Sequence, residues 1–456
     1  MDLYAELIRH VTHPALMLKE GKLRVFKYLK EFEASQYLEL NEIRTRQWNN
    51  LKKLIDHAYK SSSFYKTRLE QAGLTPLDIH DFSDYLKVPL LLKKDIQEHL
   101  ADLTSKKYHP ENLVSNRTGG STGMPLHYFH DKERLFSMEA SAIRHFRWAG
   151  HNIGDKIAAI WGSRRDISHP DGIKSKLRGL LVERSIILDS SSINEVTLEH
   201  FTRELLRFKP KTIQAYAKSI YFFAQYCKEK NIKGIHPQSI ISSAEVLLEH
   251  ERELIEEIFQ CKVFDFYGSR EVSVIASECS EHKGLHINTD TLYVEFLDDT
   301  GEPVAPGQPG NIVITDLFNY GMPFLRYKIE DIGIPSDKVC SCGRGLPLME
   351  MVAGRTTDFI VTPQGMRVSG AALTIYLISS IPGIRQAQII QDKIDHLNFR
   401  IVPGPEFNNG SLEILKEKVP EFFGSEMRYD VTLVEEIHKD PSGKYRFSIS
   451  NIENNN

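Results

Sequence analysis

Apolar residues recur at helical spacing along the first 75 residues of this 456-residue chain. In RQWNNLKKLIDHAYKSSSFYKTRLEQAGL, Trp48, Leu51, Leu54, Ile55 and Ala58 fall on one helical face. Ser61 to Ser63 interrupt that helix, and a second, shorter one ends at Gly73. SDYLKVPLLLKKDIQEHL predicts a short apolar run around Pro89 and a further helix. NLVS and LHYFH read as short strands on either side of a glycine-rich stretch. From residue 133 to 330 the period alternates. DKIAAIWG, TIQAYA, SIISSAEVL and KVFDFYG read as strands, and LEHFTRELLRFKP and AKSIYFFAQYCKEKNI as helices. That rhythm predicts an α/β body with sheets covered by helices. LYVEFLD and NIVITD extend it as strands joined by a Gly- and Pro-rich turn.

The character changes after residue 350. VAGRTTDFIVTPQGMRVSG predicts a hairpin turning at TPQG. A helix at 371–380, strands RQAQIIQ and NFRIVP, a helix at 411–422 and a strand YDVTLVEEI follow. That is the size of a small α+β domain. The boundary is placed near Gly354, giving units of 1–353 and 354–456.

Composition narrows the class. With 41% hydrophobic and 26% charged residues, the chain is that of a soluble globular protein. A net charge of -4 and no concentrated basic face argue against a nucleic-acid partner. No apolar run approaches a membrane span. The start, MDLYAELIRHVTHPALMLKEGKLRVFKYLKEF, lacks the apolar core and cleavage site of a secretory signal. Its basic and apolar residues would suit an interfacial helix; the reading expected is a helix packed on the protein's own body. The five cysteines, few and odd in number, fit a reducing cytoplasm rather than a disulfide scaffold.

The glycine-rich stretch is SNRTGGSTGMPLHYF. Glycines permit positive φ, so Thr118, Gly119, Gly120, Ser121, Thr122 and Gly123 can turn several N–H groups and hydroxyls onto one anion. Phosphate is the natural guest. No Lys-Ser/Thr follows the last glycine, so this is not a Walker loop. Taken alone, the segment reads first as a Gly/Ser turn in a hairpin.

Three further segments change the reading. DFYGSREV places Tyr267, Gly268 and Glu271 after an apolar run. FLRYKIEDIG places Arg326, Tyr327 and Asp331, and DPSGKYRF places Lys444 close to the C-terminus. In this order and spacing the set resembles the adenylate-forming enzymes, the superfamily of acyl-CoA synthetases, luciferases and amino-acid-activating domains. LIDHAYKSSSFYKTRLEQAGLTPLDI, VPLLLKKDI, GLHINTDTLYVEF and CSCGRGLP are similar to the phenylacetate–CoA ligase family, especially its CapK-type capsular-polysaccharide branch. The resemblance covers the chain from about residue 45 onward. It implies a large multi-sheet α/β body with a small mobile α+β C-terminal domain.

The resemblance implies that a carboxylate attacks the α-phosphorus of ATP, with Mg²⁺, releasing pyrophosphate. Thr118 to Gly123 would hold the β- and γ-phosphates, and Glu271 matches the Mg²⁺-binding glutamate. Tyr267 and Gly268, with Ser243, Ala244 and Glu245 of SSAEV, would line the adenine pocket. Asp331 would accept the ribose hydroxyls, Arg355 would reach ribose or phosphate, and Lys444 would bridge the carboxylate and the α-phosphate. Trp161 and Tyr216 would wall the acid pocket, while Arg164 and Arg165 read as a solvated turn. Some positions depart from the pattern. The residue before Glu271 is Arg270 where threonine is usual, the residue after Pro125 is Leu126 where lysine is common, and the hinge acid falls at Thr357 with Asp358 one later. TTDFIVTPQGMRVSG lacks the lysine of many CoA-using relatives. CoA, an amine, a sugar and a carrier protein all stay open as acceptor, and a homodimer stays open as assembly.

Cys340 and Cys342 form a C-x-C pair, and Cys279 precedes His282 and His286. Spacing alone is balanced between ordinary thiols and a zinc site. Similar positions in the family imply structural Zn²⁺ on Cys279, His286, Cys340 and Cys342, with His282 as the alternative imidazole. Cys227 and Cys261 read as core residues. Two rival functions are kept: an aryl-CoA ligase of the phenylacetate type, and a non-catalytic nucleotide-binding assembly protein.

Overall fold

A computed structural model describes residues 2–117, 126–161, 179–189, 195–355, 359–364, 367–369, 373, 377, 378, 381–438 and 447–452. The N-terminal 75 residues are helical, as their spacing predicts. Leu3–Leu7, a π turn Ile8–Thr12 and His13–Lys19 form one continuous run, started by the Asp2 carboxylate accepting from the N–H groups of Tyr4 and Ala5. Helix Arg24–Ser35 packs on helix Lys132–Trp148 through Val25, Leu29, Phe32 and Ala140. Helix Leu40–Ser61 buries Leu51, Leu54, Ile55 and Ala58. Ser62 stops it in extended conformation and then caps Ser63–Gln71 through its own hydroxyl.

Strands β1 (Leu113–Arg117) and β2 (His127–Asp131) pair antiparallel as a separate hairpin. The body is built on one 11-stranded sheet. Its first strands are β3 (Ile157–Trp161), β4 (Ser185–Asp189), β5 (Thr212–Tyr216), β6 (Ser239–Ser243) and β7 (Lys262–Ser269). They run parallel in the order β4-β3-β5-β6-β7. Helices Glu195–Phe208, Ala217–Glu229 and Glu249–Phe259 cover them. Phe201, Phe223 and Phe259 pack there against Ile160, Ile213, Ile240 and Val263. Cys227 is buried in this core and the half-buried Cys261 packs against it.

From β7 onward the sheet is antiparallel. It continues through β8 (Ser273–Glu278), β9 (Leu285–Ile287), β10 (Leu292–Leu297), β11 (Gly310–Asp316), β12 (Tyr327–Ser336) and β13 (Leu348–Arg355), in the order β7-β8-β9-β13-β12-β11-β10. The switch falls at β7, the strand that carries the DFYGSREV motif.

β13 runs through the position placed as the boundary, to Arg355, and a separate apolar core begins at Ile360. Hairpin β14 (Phe359–Val361)/β15 (Arg367–Ser369) is followed by β16 (Ile384–Lys393), β17 (His396–Pro403), helix Asn409–Phe423, β18 (Arg428–Leu433) and β19 (Ser448–Ser450). The last four strands form one sheet in the order β18-β17-β16-β19. Leu415, Val419 and Phe423 of the helix pack on Ile389, Phe399 and Ile401. β18 ends at Leu433, short of the expected YDVTLVEEI. Of the expected helix at 371–380, only Leu373, Leu377 and Ile378 are described, all buried. No helix among the described residues is long and apolar enough to cross a membrane.

Candidate functional site

The C-terminal ends of the parallel strands open to one side, where ligands bind in α/β sheets. Trp161 ends β3 and Tyr216 ends β5. Their ring centroids lie 4.2 Å apart with planes at 49°. Ser243 ends β6, and Ala244 follows with φ +69, a left-handed conformation rare for a residue with a Cβ. Strand β6 thus turns away sharply at SSAEV. The Glu245 carboxylate accepts the Lys218 N–H at 2.9 Å, at the start of helix Ala217–Glu229. An acid beside a helix N-terminus is favourably placed.

The β7–β8 hairpin supplies the next wall. Its ladder slips between Tyr267 and Gly268. A side chain at Gly268 would meet the Ser273 carbonyl oxygen at 2.5 Å, so only glycine permits this approach. The bulge aims Tyr267 at β12, where its hydroxyl donates to Asp331 Oδ2 at 2.8 Å. Glu271 lies buried in the hairpin turn, with Oε1 3.5 Å from the Tyr327 hydroxyl. Tyr267 and Glu271 share one corner with Asp331, which lies some 60 residues further along the chain.

The glycine-rich loop spans residues outside those described, but both its stems reach the same corner. Arg270 Nη1 lies 3.4 Å from the Arg117 carbonyl oxygen, at the end of β1. On β2, His130 Nε2 donates to the Glu271 carbonyl oxygen at 2.7 Å. Its Nδ1 accepts from Asn116 Nδ2 at 3.3 Å. Burial, then the Arg134 charge, pushes His130 down to about 4, so the ring is neutral and keeps this donor–acceptor pattern. Leu126 is fully buried in the core, which suits an apolar residue at the position where the resemblance leads to lysine.

His130, which bonds the Glu271 backbone, and Asp265 are groups to which the sequence motifs assign no role. Asp265 lies on β7, two residues before Tyr267. Burial and the nearby Glu278 carboxylate push it up to about 7. Glu278 itself is held by Arg252 at 2.9 Å and by His282 Nδ1 at 3.1 Å. Two residues apart on β7, Asp265 and Tyr267 fall on one face of the strand. Arg326, by contrast, is structural: it is buried, pairs with Glu295 at 3.0 Å and bonds the Val88 carbonyl oxygen at 2.7 Å.

Several expected residues fall outside the described ones: Thr118 to Gly123, Arg164, Arg165, Thr357, Asp358 and Lys444. For Arg355 only the backbone is described, paired with Asp331 across β12 and β13.

A second constellation joins β8, β9 and the loop before β13. The ligand atoms of Cys279, His286, Cys340 and Cys342 all lie within 4.8 Å of one another. Cys279 and Cys340 Sγ are 3.7 Å apart, too far for a disulfide. The spacing matches the edge of about 3.8 Å that a tetrahedron of 2.3 Å Zn–S bonds requires. His286 Nε2 lies 3.3 Å from Cys342 Sγ, while its Nδ1 faces the Leu346 carbonyl oxygen at 3.3 Å. That carbonyl holds the proton on Nδ1 and turns the Nε2 lone pair toward the sulfurs. Burial pushes His286 down to about 4, which keeps the ring neutral and able to ligate. Ile43, Trp148, Leu346 and Leu348 form an apolar wall around the cluster. His282 is turned away to Glu278, which leaves His286 as the imidazole of this group.

Comparison with known proteins gives a consistent picture. The family profile described as CapK C-terminal domain matches residues 360–451. Protein CapK of Staphylococcus aureus is 23% identical over 94% of this chain and 94% of its own length. Phenylacetate-coenzyme A ligase of Thermus thermophilus is 24% identical over 84% of this chain and 87% of its own. Among solved structures, a 2-hydroxyisobutyryl-CoA ligase in its postadenylation state superposes with a TM-score of 0.74 at 18% identity, covering 91% of each chain. The chain therefore has the fold of the adenylate-forming ligases and carries a CapK-type C-terminal domain.

Proposed function

We propose that this chain is an ATP-dependent, AMP-forming ligase that activates a small carboxylic acid. One observation carries the reading: the Tyr267–Asp331 hydrogen bond, the buried Glu271 and both stems of the glycine-rich loop converge at the C-terminal ends of the parallel strands. In this reading Tyr267 stacks on adenine against the Ser243–Glu245 turn, and Asp331, already oriented by the Tyr267 hydroxyl, accepts the ribose hydroxyls. Thr118 to Gly123 bind the β- and γ-phosphates. Glu271 holds Mg²⁺, which when bound neutralises phosphate charge. The acid lies against Trp161 and Tyr216. Its carboxylate oxygen forms a bond to the α-phosphorus, the bond to the bridging oxygen breaks, and pyrophosphate leaves. Lys444 lowers the repulsion between carboxylate and phosphate as they approach, and Arg355 contacts ribose or phosphate. Positioned donors of this kind carry most of the rate in such reactions.

The acyl-adenylate then passes to an acceptor. The CoA ligases among the relatives support CoA; the absence of a lysine from residues 356–370 keeps an amine, a sugar or a carrier protein in play. Cys279, His286, Cys340 and Cys342 hold Zn²⁺ as a closed structural site, since four protein ligands leave no open position. The CapK likeness supports a place in surface-polysaccharide assembly, and the unpaired thiols support a cytoplasmic location.

Acid-dependent exchange of labelled pyrophosphate into ATP tests this reading. Exchange with at least one member of a broad panel of acids is expected. Exchange without CoA consumption would remove the CoA ligase reading. No exchange with any acid, despite nucleotide binding, would leave a non-catalytic nucleotide-binding protein.

A further inference from the structure

The N-terminal helical run has two faces, and only one is used by the fold. Ala5, Ile8 and Met17 are buried. Arg9 donates to the Ile153 carbonyl oxygen at 3.1 Å, and Arg184 pairs with Asp2 at 2.7 Å. Gly154 lies so close to Ala5 that a side chain there would strike its carbonyl oxygen at 2.6 Å. This face is anchored on the loop before β3 and on the residue before β4.

The outer face is apolar. Leu3 is 73% exposed, Leu7 49%, Val11 58% and Leu18 63%. Among the described residues, eight of the sixteen exposed large hydrophobics lie between Leu3 and Leu40. In a straight α-helix, residues spaced by four drift about 40° around the axis at each step. The π turn Ile8–Thr12 lies between Leu7 and Val11, and its wider turn takes back part of that drift. The side chains thus form a stripe rather than a spiral. Scattered exposed leucines need no partner, but a continuous stripe does.

The charges beside it indicate what covers it. Between Leu3 and Lys30 the chain carries six cations against Glu6 and Glu20, in a protein of net charge -4. Arg9 pairs with Asp155 on the inner face, Lys22 with Glu139 and Arg24 with Glu133, and Lys19, Lys27 and Lys30 are exposed. At the end of the run, Leu18, Lys19, Leu23 and Arg24 are all exposed around the turn. Apolar and cationic side chains alternating along one rim match an anionic bilayer, with an apolar interior below phosphate headgroups. A second protein copy would bring its own cations to this rim.

We propose that the Leu3–Leu23 face is a peripheral docking surface for anionic lipid bilayers, lying in the headgroup plane without spanning. The reading does not depend on the ligase function. The test is co-sedimentation of the full chain with vesicles of phosphatidylcholine alone and with about one-third phosphatidylglycerol. Binding to the anionic vesicles should be at least about tenfold tighter than to neutral ones and should fall in about 0.5 M salt. L7E/V11E/L18E, all at exposed positions, should abolish it with unchanged circular dichroism, and K19E/K27E should weaken it. L77E, at an exposed leucine elsewhere, should leave it intact. Absence of binding to anionic vesicles, or binding indifferent to L7E/V11E/L18E, overturns the proposal. So does a wild-type dimer that this variant converts to monomer while neither form binds vesicles, because the face would then serve a second copy.

Discussion

Gly268→Ala is the most direct probe of the corner that holds Tyr267, Glu271 and Asp331. The added methyl would sit 2.5 Å from the Ser273 carbonyl oxygen and 3.2 Å from its carbon. Ordinary contacts of this kind begin near 3.4 Å, and the opposing atoms are backbone, so no side chain can swing aside. The β7–β8 hairpin must open by about 0.5 to 1 Å, a steric cost of about 1–3 kcal/mol. That predicts a Tm lowered by roughly 2–6 °C. The larger effect falls on the site. Gly268 follows Tyr267 directly and precedes Glu271 by three residues, so opening the hairpin moves both. A 2.8 Å bond from Tyr267 to Asp331 stretched by that amount exceeds hydrogen-bonding range. Displacements near 1 Å cost on the order of 10²-fold in rate. Pyrophosphate exchange and thermal unfolding on the same preparation separate the two effects. The expected outcome is a modest loss of Tm with a loss of exchange between about tenfold and 10²-fold. An alanine variant with wild-type Tm and wild-type exchange would refute the bulge as the element that aims this corner.

Tyr267→Phe removes only the hydroxyl held by Asp331; the KM for ATP should rise by up to about tenfold, as expected for one hydrogen bond to a charged group. Tyr267→Phe and Asp331→Asn should then combine with less than additive effect in a double-mutant cycle, and strict additivity would argue that the pair does not act together. Cys340→Ser should take metal analysis from about one zinc per chain to well below it and lower the Tm, whereas Cys261→Ser should change neither. Folded wild-type protein free of zinc would remove the metal assignment. Lys444→Ala should abolish exchange while nucleotide binding, followed by calorimetry, stays within about threefold of wild type; undiminished exchange would refute its role.

Local sequence carried the elements well. DKIAAIWG, TIQAYA, SIISSAEVL and KVFDFYG each hold a strand, and LEHFTRELLRFKP and AKSIYFFAQYCKEKNI each a helix, because each run matches one period and is bounded by breakers. SIISSAEVL stops early, at Ser243, where Ala244 takes a left-handed φ, and the helix Glu249–Phe259 is one that the periodicity reading does not contain. Strand β18 stops at Leu433 although β-favouring sequence runs on, since its ladder with β17 ends at the Ile401–Leu433 pair. The motif around Asp265 gives it no role, because its environment depends on Glu278, on the neighbouring strand. The choice between His282 and His286 could not be made from spacing, as both follow Cys279 within eight residues.

Period, punctuation and motif order in the chain thus determined the elements, the α/β class and the types of residue available for chemistry, all properties of short segments. Tertiary structure alone decided the rest. It brought Tyr267 to Asp331 through a bulge that only glycine allows, and tied the stems of the glycine-rich loop to Arg270 and Glu271. It turned one histidine of two toward three sulfurs and left a stripe of leucines facing outward. The physical reason is that contacts between distant segments depend on strand register, where a shift of one residue reverses every side chain. Register is set by the whole sheet.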